Sequence, residues 1–510
     1  MTDSQKIFEN YKPLKNHFTK LSLADSLYVI WAYSQNFSFN SKMPQDIQVA
    51  KYFIDAEDFI EKKFFPWELE IILREVIINS PDRRNKKSLR EWDYLRKIVN
   101  QLKDFENKIS EIYSERRNVY VELFRVAHRQ FPLQNKIDTK DLIRHYKIFS
   151  DKDLKPIVEN ELNITVDKLY IIGLMFSGFF LKSHNIIYPF KSDISIIDET
   201  SIDSFLKLFS IDFSELKEFY DSNKQFNDKF AYSFNPLRAR PIIKKENTKG
   251  EITLYAPIPL LILFKLTSGI YYDLVNSNKK FGEKFGFAFE NYVGEFCVSQ
   301  KLNDGFKLIK GEKYKIGKRE KETVDWIIEE KSSLLFIECK TKRLKNIAKE
   351  GLEDEQPIKL EIKKMAEFVF QVYKSIKDFK ENKYPSIKYN PEQEIFLIIL
   401  TLEEWYLFGN FTDEELFKEI ETLFSQSGLP KDYLEEMPFT IISTRDFELL
   451  IPVIKEVGIR EVFKEKLLNK ETKSWNMGIY LSNAFPKLIN NNDKTFQEDA
   501  LDKLINQVKP

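Results

Sequence analysis

Cysteine and histidine are scarce: Cys297, Cys339, His17, His128, His145 and His184 are all that 510 residues contain. So few ligands, so widely spread, exclude a closed Cys/His zinc site. Both thiols are expected to serve as small buried apolar side chains. Glycine is also sparse, at 15 residues, and the glycine-dependent motifs are missing: no phosphate loop ending in Lys-Ser/Thr, no dinucleotide fingerprint, no GxSxG elbow. Any ATP dependence would have to come from a partner. Long apolar runs are lacking too. The strongest, Leu169 to Leu181, is bracketed by Asp167, Lys168 and Lys182 and is shorter than the roughly 20 residues a membrane span requires. It predicts a buried helix. The first residues, MTDSQKIFENYK, carry no signal-peptide pattern, so the expected setting is cytoplasmic, away from membranes. Net charge is absent as well, with 79 Lys/Arg against 79 Asp/Glu. Any attraction to nucleic acid must therefore be local.

What is present describes a globular protein, 43% hydrophobic and 31% charged. Its length exceeds the roughly 250–300 residues one core can serve, so two or three domains are expected. Up to about residue 230 apolar residues recur at helical spacing. A capping box at Ser88 and Glu91 predicts a long helix reaching Phe131, with Pro132 beyond its end. FNPLRARPIIKK and EITLYAPIP, separated by ENTKG, predict a hairpin, followed by a helix from Leu260 to Asn276. The order then becomes helix (284–301), strands (305–310, 322–329, 334–341), helix (359–379) and strand (394–401). Thr412 and Glu415 form another capping box, and MPFTIIST with RDFELLIPVIKEVG predicts a strand and a helix. These either extend the preceding sheet or form a small domain.

The segment TVDWIIEEKSSLLFIECKTKR (323–343) carries the chemistry. Alternation along a strand places Leu334, Phe336, Glu338 and Lys340 on one face and Leu335, Ile337, Cys339 and Thr341 on the other. An apolar strand thus ends in a carboxylate and an ammonium, and a hairpin can bring Asp325 beside them. Asp325, Glu338 and a backbone carbonyl, that of Cys339, supply oxygen ligands for Mg²⁺, with Mn²⁺ able to substitute. Such an ion can activate a water toward a phosphodiester while Lys340 orients the water or balances transition-state charge.

Val324-Asp325, twelve intervening residues and Glu338-Cys339-Lys340 resemble the PD-(D/E)XK nucleases, with Val324 where the family usually carries proline. The resemblance covers about residues 280–402. It implies a restriction-endonuclease-like fold, so the chain is read as α/β: a helical N-terminal region followed by a mixed sheet flanked by helices. The segments are a helical region (1–230), a hairpin and connecting helix (231–275), a nuclease-like domain (276–410) and a C-terminal α/β extension (411–510). FGEKFGFAFENYVGEF (281–296) resembles the helix preceding the core in many members, which implies that Glu290 adds a further acidic ligand, bordering a buried stripe of Phe289, Val293 and Phe296. Gln371 matches a position where some relatives carry a functional glutamine.

Residues 301–345 hold thirteen Lys/Arg against eight Asp/Glu, a local excess in a neutral chain. Lys342, Arg343 and Lys345 flank the proposed catalytic strand and are expected to contact phosphates. The bland alternatives are a cross-strand salt bridge for Glu338 and Lys340, a strand cap for Asp325 and solvated faces for the rest. The same triplet recurs at Glu61/Lys63, Glu215/Lys217 and Glu361/Lys363, expected in ordinary solvated helices. His128 and His145 could suggest a metal-independent RNase, but satisfied structural histidines are expected. Together these readings give a Mg²⁺-dependent endonuclease acting on nucleic acid, on DNA rather than RNA by resemblance, in bacterial defence, restriction or repair. The alternative is a non-catalytic binding scaffold. The N-terminal helices are expected to engage a partner protein or a second copy of the chain.

Overall fold

The computed structural model describes residues 2–49, 64–83, 87–113, 119–134, 139–192, 194–302, 304–343, 356–406, 410–490 and 495–506. The helical spacing of the first part builds helices at Asp3–Phe18, Leu23–Phe39, Pro66–Asn79, Trp92–Tyr113, Val119–Gln134, Thr139–Phe149, Lys155–Leu162, Val166–Lys182, Glu199–Phe209 and Phe213–Ser222. Of the helix expected from Ser88 to Phe131, the described residues form Trp92–Tyr113 and Val119–Gln134, with 114–118 outside those described, and Pro132 lies inside the second. Ser88 does not cap the first: its hydroxyl donates to Asp25 and accepts the Arg90 N–H, so the helix begins at Trp92. The apolar run at 169–181 forms the largely buried helix Val166–Lys182, and no single described helix is long and apolar enough to cross a membrane.

Two short strands interrupt the helices, β1 (Asn185–Tyr188) and β2 (Ser210–Asp212). They join the expected hairpin, β3 (Ile242–Glu246) and β4 (Ile252–Tyr255), in a sheet of order β1-β4-β3-β2. The helix after it runs as Leu260–Phe264, a π-helical turn at Lys265–Gly269, and Ile270–Leu274.

The second half is mixed α/β. Its main sheet has the order β11-β10-β9-β8-β5, from β5 (Lys307–Lys310), β8 (Trp326–Glu329), β9 (Ser333–Lys340), β10 (Glu394–Thr401) and β11 (Phe439–Ser443). β9, β10 and β11 run parallel, while β8 is antiparallel to β9 and β5 to β8. β11 settles the role of the tail by extending this sheet. A separate hairpin, β6 (Lys313–Ile316) with β7 (Arg319–Glu322), was not read from the sequence, where its alternating charges resemble a loop. The Thr412 side chain lies outside the described residues, and the helix there is Asn410–Ser427.

Alternation along the strands divides the apolar residues into two cores. Leu335, Ile337, Ile398 and Leu400 face the N-terminal helices, the helix Phe281–Ser299 and the helix Thr444–Val457. Leu334, Phe336, Leu397 and Ile399 face the helices Gln356–Lys380 and Asn410–Ser427. Between N-terminal helices and sheet lies a buried ionic knot. Arg144 pairs through Nε and Nη2 with both oxygens of Glu448, each at 2.7 Å, and through Nη1 with Asp141 at 2.7 Å. Tyr292 donates its hydroxyl to Glu448 at 2.6 Å. Removing one partner of a buried pair leaves the other uncompensated and costs about 3–5 kcal/mol. Glu448→Leu should therefore lower the urea midpoint of unfolding, and adding Arg144→Met should restore part of the loss.

Candidate active site

The site forms where β8 stops pairing. Trp326 pairs with Ile337, the last β8 partner on that side of β9, so residues 338–340 keep β10 on one flank and are open on the other. Asp325 occupies the opening: its Oδ2 accepts the Cys339 N–H at 2.6 Å. In an extended strand a residue's C=O leaves on the same side as its N–H, so the Cys339 carbonyl opens toward Asp325. The main chain of Asp325 is held in turn, its carbonyl accepting the Gly311 N–H at 2.7 Å. A Cβ on Gly311 would stand 2.6 Å from the Val324 carbonyl oxygen, so this approach requires glycine. Glu312 and Thr323 bond across the same neck, below the β6–β7 hairpin.

Glu338 and Lys340 share a face as alternation required. Lys340 Nζ donates to Glu338 Oε1 at 2.6 Å and lies 5.0 Å from the centre of the Phe368 ring. Glu338 is buried and Lys340 half-buried. Glu290 arrives from the opposite layer. Its helix presses Phe289, Val293 and Phe296 into the core and leaves Glu290 half-buried at the border, while the Trp326 indole N–H donates to the Glu290 carbonyl at 2.9 Å. The helix can lie this close because residue 294 is glycine, where a Cβ would come within 2.1 Å of the Trp326 ring.

The charges here are crowded. Burial first, then Glu338 and Glu290, push the Asp325 carboxyl up to about 8. Burial and Glu338 push Glu290 up to about 7, against the pull of Lys310 and Lys340. Burial opposes the Lys340 charge, but Glu338 and then Asp325 hold its ammonium above the ordinary lysine range. Lys340 therefore stays charged at neutral pH beside carboxyls that resist ionising together. The candidate donor atoms are all oxygens and their negative charge is under-compensated, which fits a hard divalent cation such as Mg²⁺ or Mn²⁺. Among the described residues no three His, Cys, Asp or Glu side chains stand at metal-gripping distance as they are.

The other expected site residues fare differently. Lys342 pairs with Glu361 at 3.4 Å, and Glu361 is buried on its helix, correcting the expectation that its triplet is solvated. Arg343 is corrected as a phosphate contact. Its guanidinium is buried, donates to the Ser268 carbonyl at 2.6 Å, pairs with Glu403 at 3.1 Å and lies over Tyr271 at 4.2 Å. Lys345 lies outside the described residues. Gln371 is exposed on the helix Gln356–Lys380, one turn past Phe368, whereas Tyr373 is buried and bonded to the Met437 carbonyl. His145 is buried, its ring nitrogen Nδ1 on the Asp141 carbonyl at 2.9 Å and its Nε2 without a partner, so the expected satisfied histidine is only half satisfied. Lys310, Trp326, Gly294 and Phe368 were not singled out, since only the docking of the flanking helices brings them to the site. No family model, curated protein or solved structure matches the chain.

Two expectations follow. A carboxyl whose folded pKa lies above its unfolded value stabilises the fold only while protonated, a contribution complete below about pH 4 and lost as pH rises through about 8 for Asp325. Asp325→Asn, which keeps an oxygen for the Cys339 N–H, should melt above wild type in EDTA near pH 8.5 by on the order of 1–3 kcal/mol, and the gap should close toward pH 4. Gly294→Ala should cost about 1–3 kcal/mol by overpacking against Trp326, read as a lowered melting temperature.

Proposed function

We propose that the chain is a metal-dependent nuclease of the PD-(D/E)XK type, with the sheet built on β8 and β9 as a restriction-endonuclease-like core. The observation that carries this reading is the closure of Asp325 onto the Cys339 main chain, which sets one carboxylate beside the Glu338–Lys340 pair at the open end of a buried strand. Asp325, Glu338, the Cys339 carbonyl and Glu290 would hold a divalent ion, which when bound polarises a phosphate oxygen and eases ionisation of a water. The chain's own residues do the rest. Glu338 fixes Lys340 in place, and the Lys340 ammonium, charged at neutral pH, stands ready to orient the attacking water and offset the added negative charge of the pentacoordinate phosphorus. Phe368 limits where that ammonium can move. DNA is the preferred substrate in this reading, by resemblance alone.

The test is cleavage of plasmid, linear and single-stranded DNA and of RNA, with Mg²⁺, with Mn²⁺ and with EDTA. Lys340→Ala should slow metal-dependent cutting by about 10²–10³-fold while substrate binding changes little, and Glu338→Ala should remove it. Cutting that survives both substitutions would sink this site. A folded protein that binds nucleic acid but cuts nothing under any condition would favour the scaffold reading.

A further inference from the structure

A cavity of about 1730 Å³ lies away from the carboxylate cluster. Helices Pro66–Asn79, Val119–Gln134 and Thr139–Phe149 contribute one side, and residues 402–406 and 440–443, at the C-terminal ends of β10 and β11, contribute the other. Ligands of open α/β sheets collect outside the carboxyl ends of parallel strands. The volume also exceeds the roughly 300–1,000 Å³ of an ordinary small-molecule pocket, so the space can take more than one nucleotide.

Two buried polar groups in this lining lack a natural partner. Lys466 is 1% exposed, yet its Nζ makes one hydrogen bond, to the Lys473 carbonyl at 2.9 Å. Among the described residues no carboxylate lies within ion-pair distance of it; Asp413, whose charge it feels, forms no pair with it. Lys473, exposed in the same lining, adds a second positive charge. Burial and the Lys473 charge bring Lys466 down to about 8, so it remains largely charged at neutral pH. His145 is the second group. With Nδ1 on the Asp141 carbonyl, its Nε2 is buried without any partner. Burial and the neighbouring Arg144 lower the ring to about 4, so it is neutral, and assigning the proton to Nδ1 leaves Nε2 a bare acceptor.

A buried ammonium without a counter-charge favours an anion. A bare imidazole nitrogen favours an N–H or O–H donor, and the half-buried Trp475 in the lining offers a flat face for stacking. A nucleoside phosphate combines all three. We propose that this cavity binds nucleoside phosphates, free or at the end of a short nucleic-acid chain, with the phosphate at Lys466 and Lys473 and a base or sugar donor on His145 Nε2. The occupant would rest on a wall stitched to the catalytic strand, because the Leu402 N–H donates to the Lys340 carbonyl at 3.1 Å and the Trp405 indole to the Lys342 carbonyl at 3.3 Å. The binding itself does not depend on nuclease activity.

Calorimetric titration of the full chain in EDTA tests this, with AMP, ATP, a 5′-phosphorylated thymidine dinucleotide, a 5′-phosphorylated thymidine octamer, inorganic phosphate and pentaglutamate as probes. At least one nucleotide probe should bind saturably. Lys466→Met, which fills the same space without the charge, should weaken it about tenfold or more. Lys473→Ala, at an exposed position that leaves folding unaffected, should weaken it several-fold, and Glu338→Ala should not change it. Binding of AMP or ATP would identify free nucleotide as the ligand, and binding of the octamer alone would identify a chain end. The proposal is overturned if no nucleotide probe binds, if both lysine variants bind like wild type, or if inorganic phosphate or pentaglutamate binds as tightly and competes.

Discussion

Like charges held close in a poorly solvated place repel far more strongly than in water, and the end of β9 gathers Glu338, Asp325 and Glu290 under that condition. The surroundings all bear on this one constraint. Lys340 rises from the same strand face to meet Glu338, and the Cys339 N–H stabilises Asp325 from the side. Gly311 closes the neck beneath Asp325, and Gly294 lets a whole helix approach until Glu290 feels Glu338 across the sheet. An arrangement of this kind is costly to keep for stability alone, which supports a functional reading of the cluster over a decorative salt bridge.

Much of the site was legible because it is local. Asp325, one residue before β8, and Glu338 on β9 flank one short hairpin, and the two-residue period of β9 fixes which side chains share a face. The larger α/β order was legible for the same reason, since long runs of consistent spacing report burial directly. The hairpin β6–β7 escaped because β7 is wholly exposed and charged, and β6 marks its buried face with only Tyr314 and Ile316. Strands β1 and β2 escaped because three or four residues between helices carry too little pattern.

What lay beyond local pattern was set by distant partners. The basic run after β9 suggested an outward Arg343, but the Ser268 carbonyl, 75 positions earlier, takes its guanidinium inward. Ser88 had the spacing of a cap, and Asp25 claims its hydroxyl. Glu361 had the look of a surface residue until Lys342 folded against it. In each case a polar side chain obeyed a partner that no window of sequence contains, whereas apolar side chains obeyed their own periodicity.

The ionic knot of Arg144, Glu448 and Tyr292 has a meaning for how the chain is made. Every proposed metal ligand has been synthesised by residue 340, but Glu448 follows more than a hundred residues later. Until it leaves the ribosome, Arg144 has Asp141 but not its bidentate Glu448 partner, and β10 presents an open edge where β11 will pair. A message cut short between those points would yield a chain with every proposed ligand and no β11 or Glu448 to complete the scaffold. The order of elements thus leaves the ionic knot and the β11 edge of the sheet to be completed after the candidate site residues have emerged.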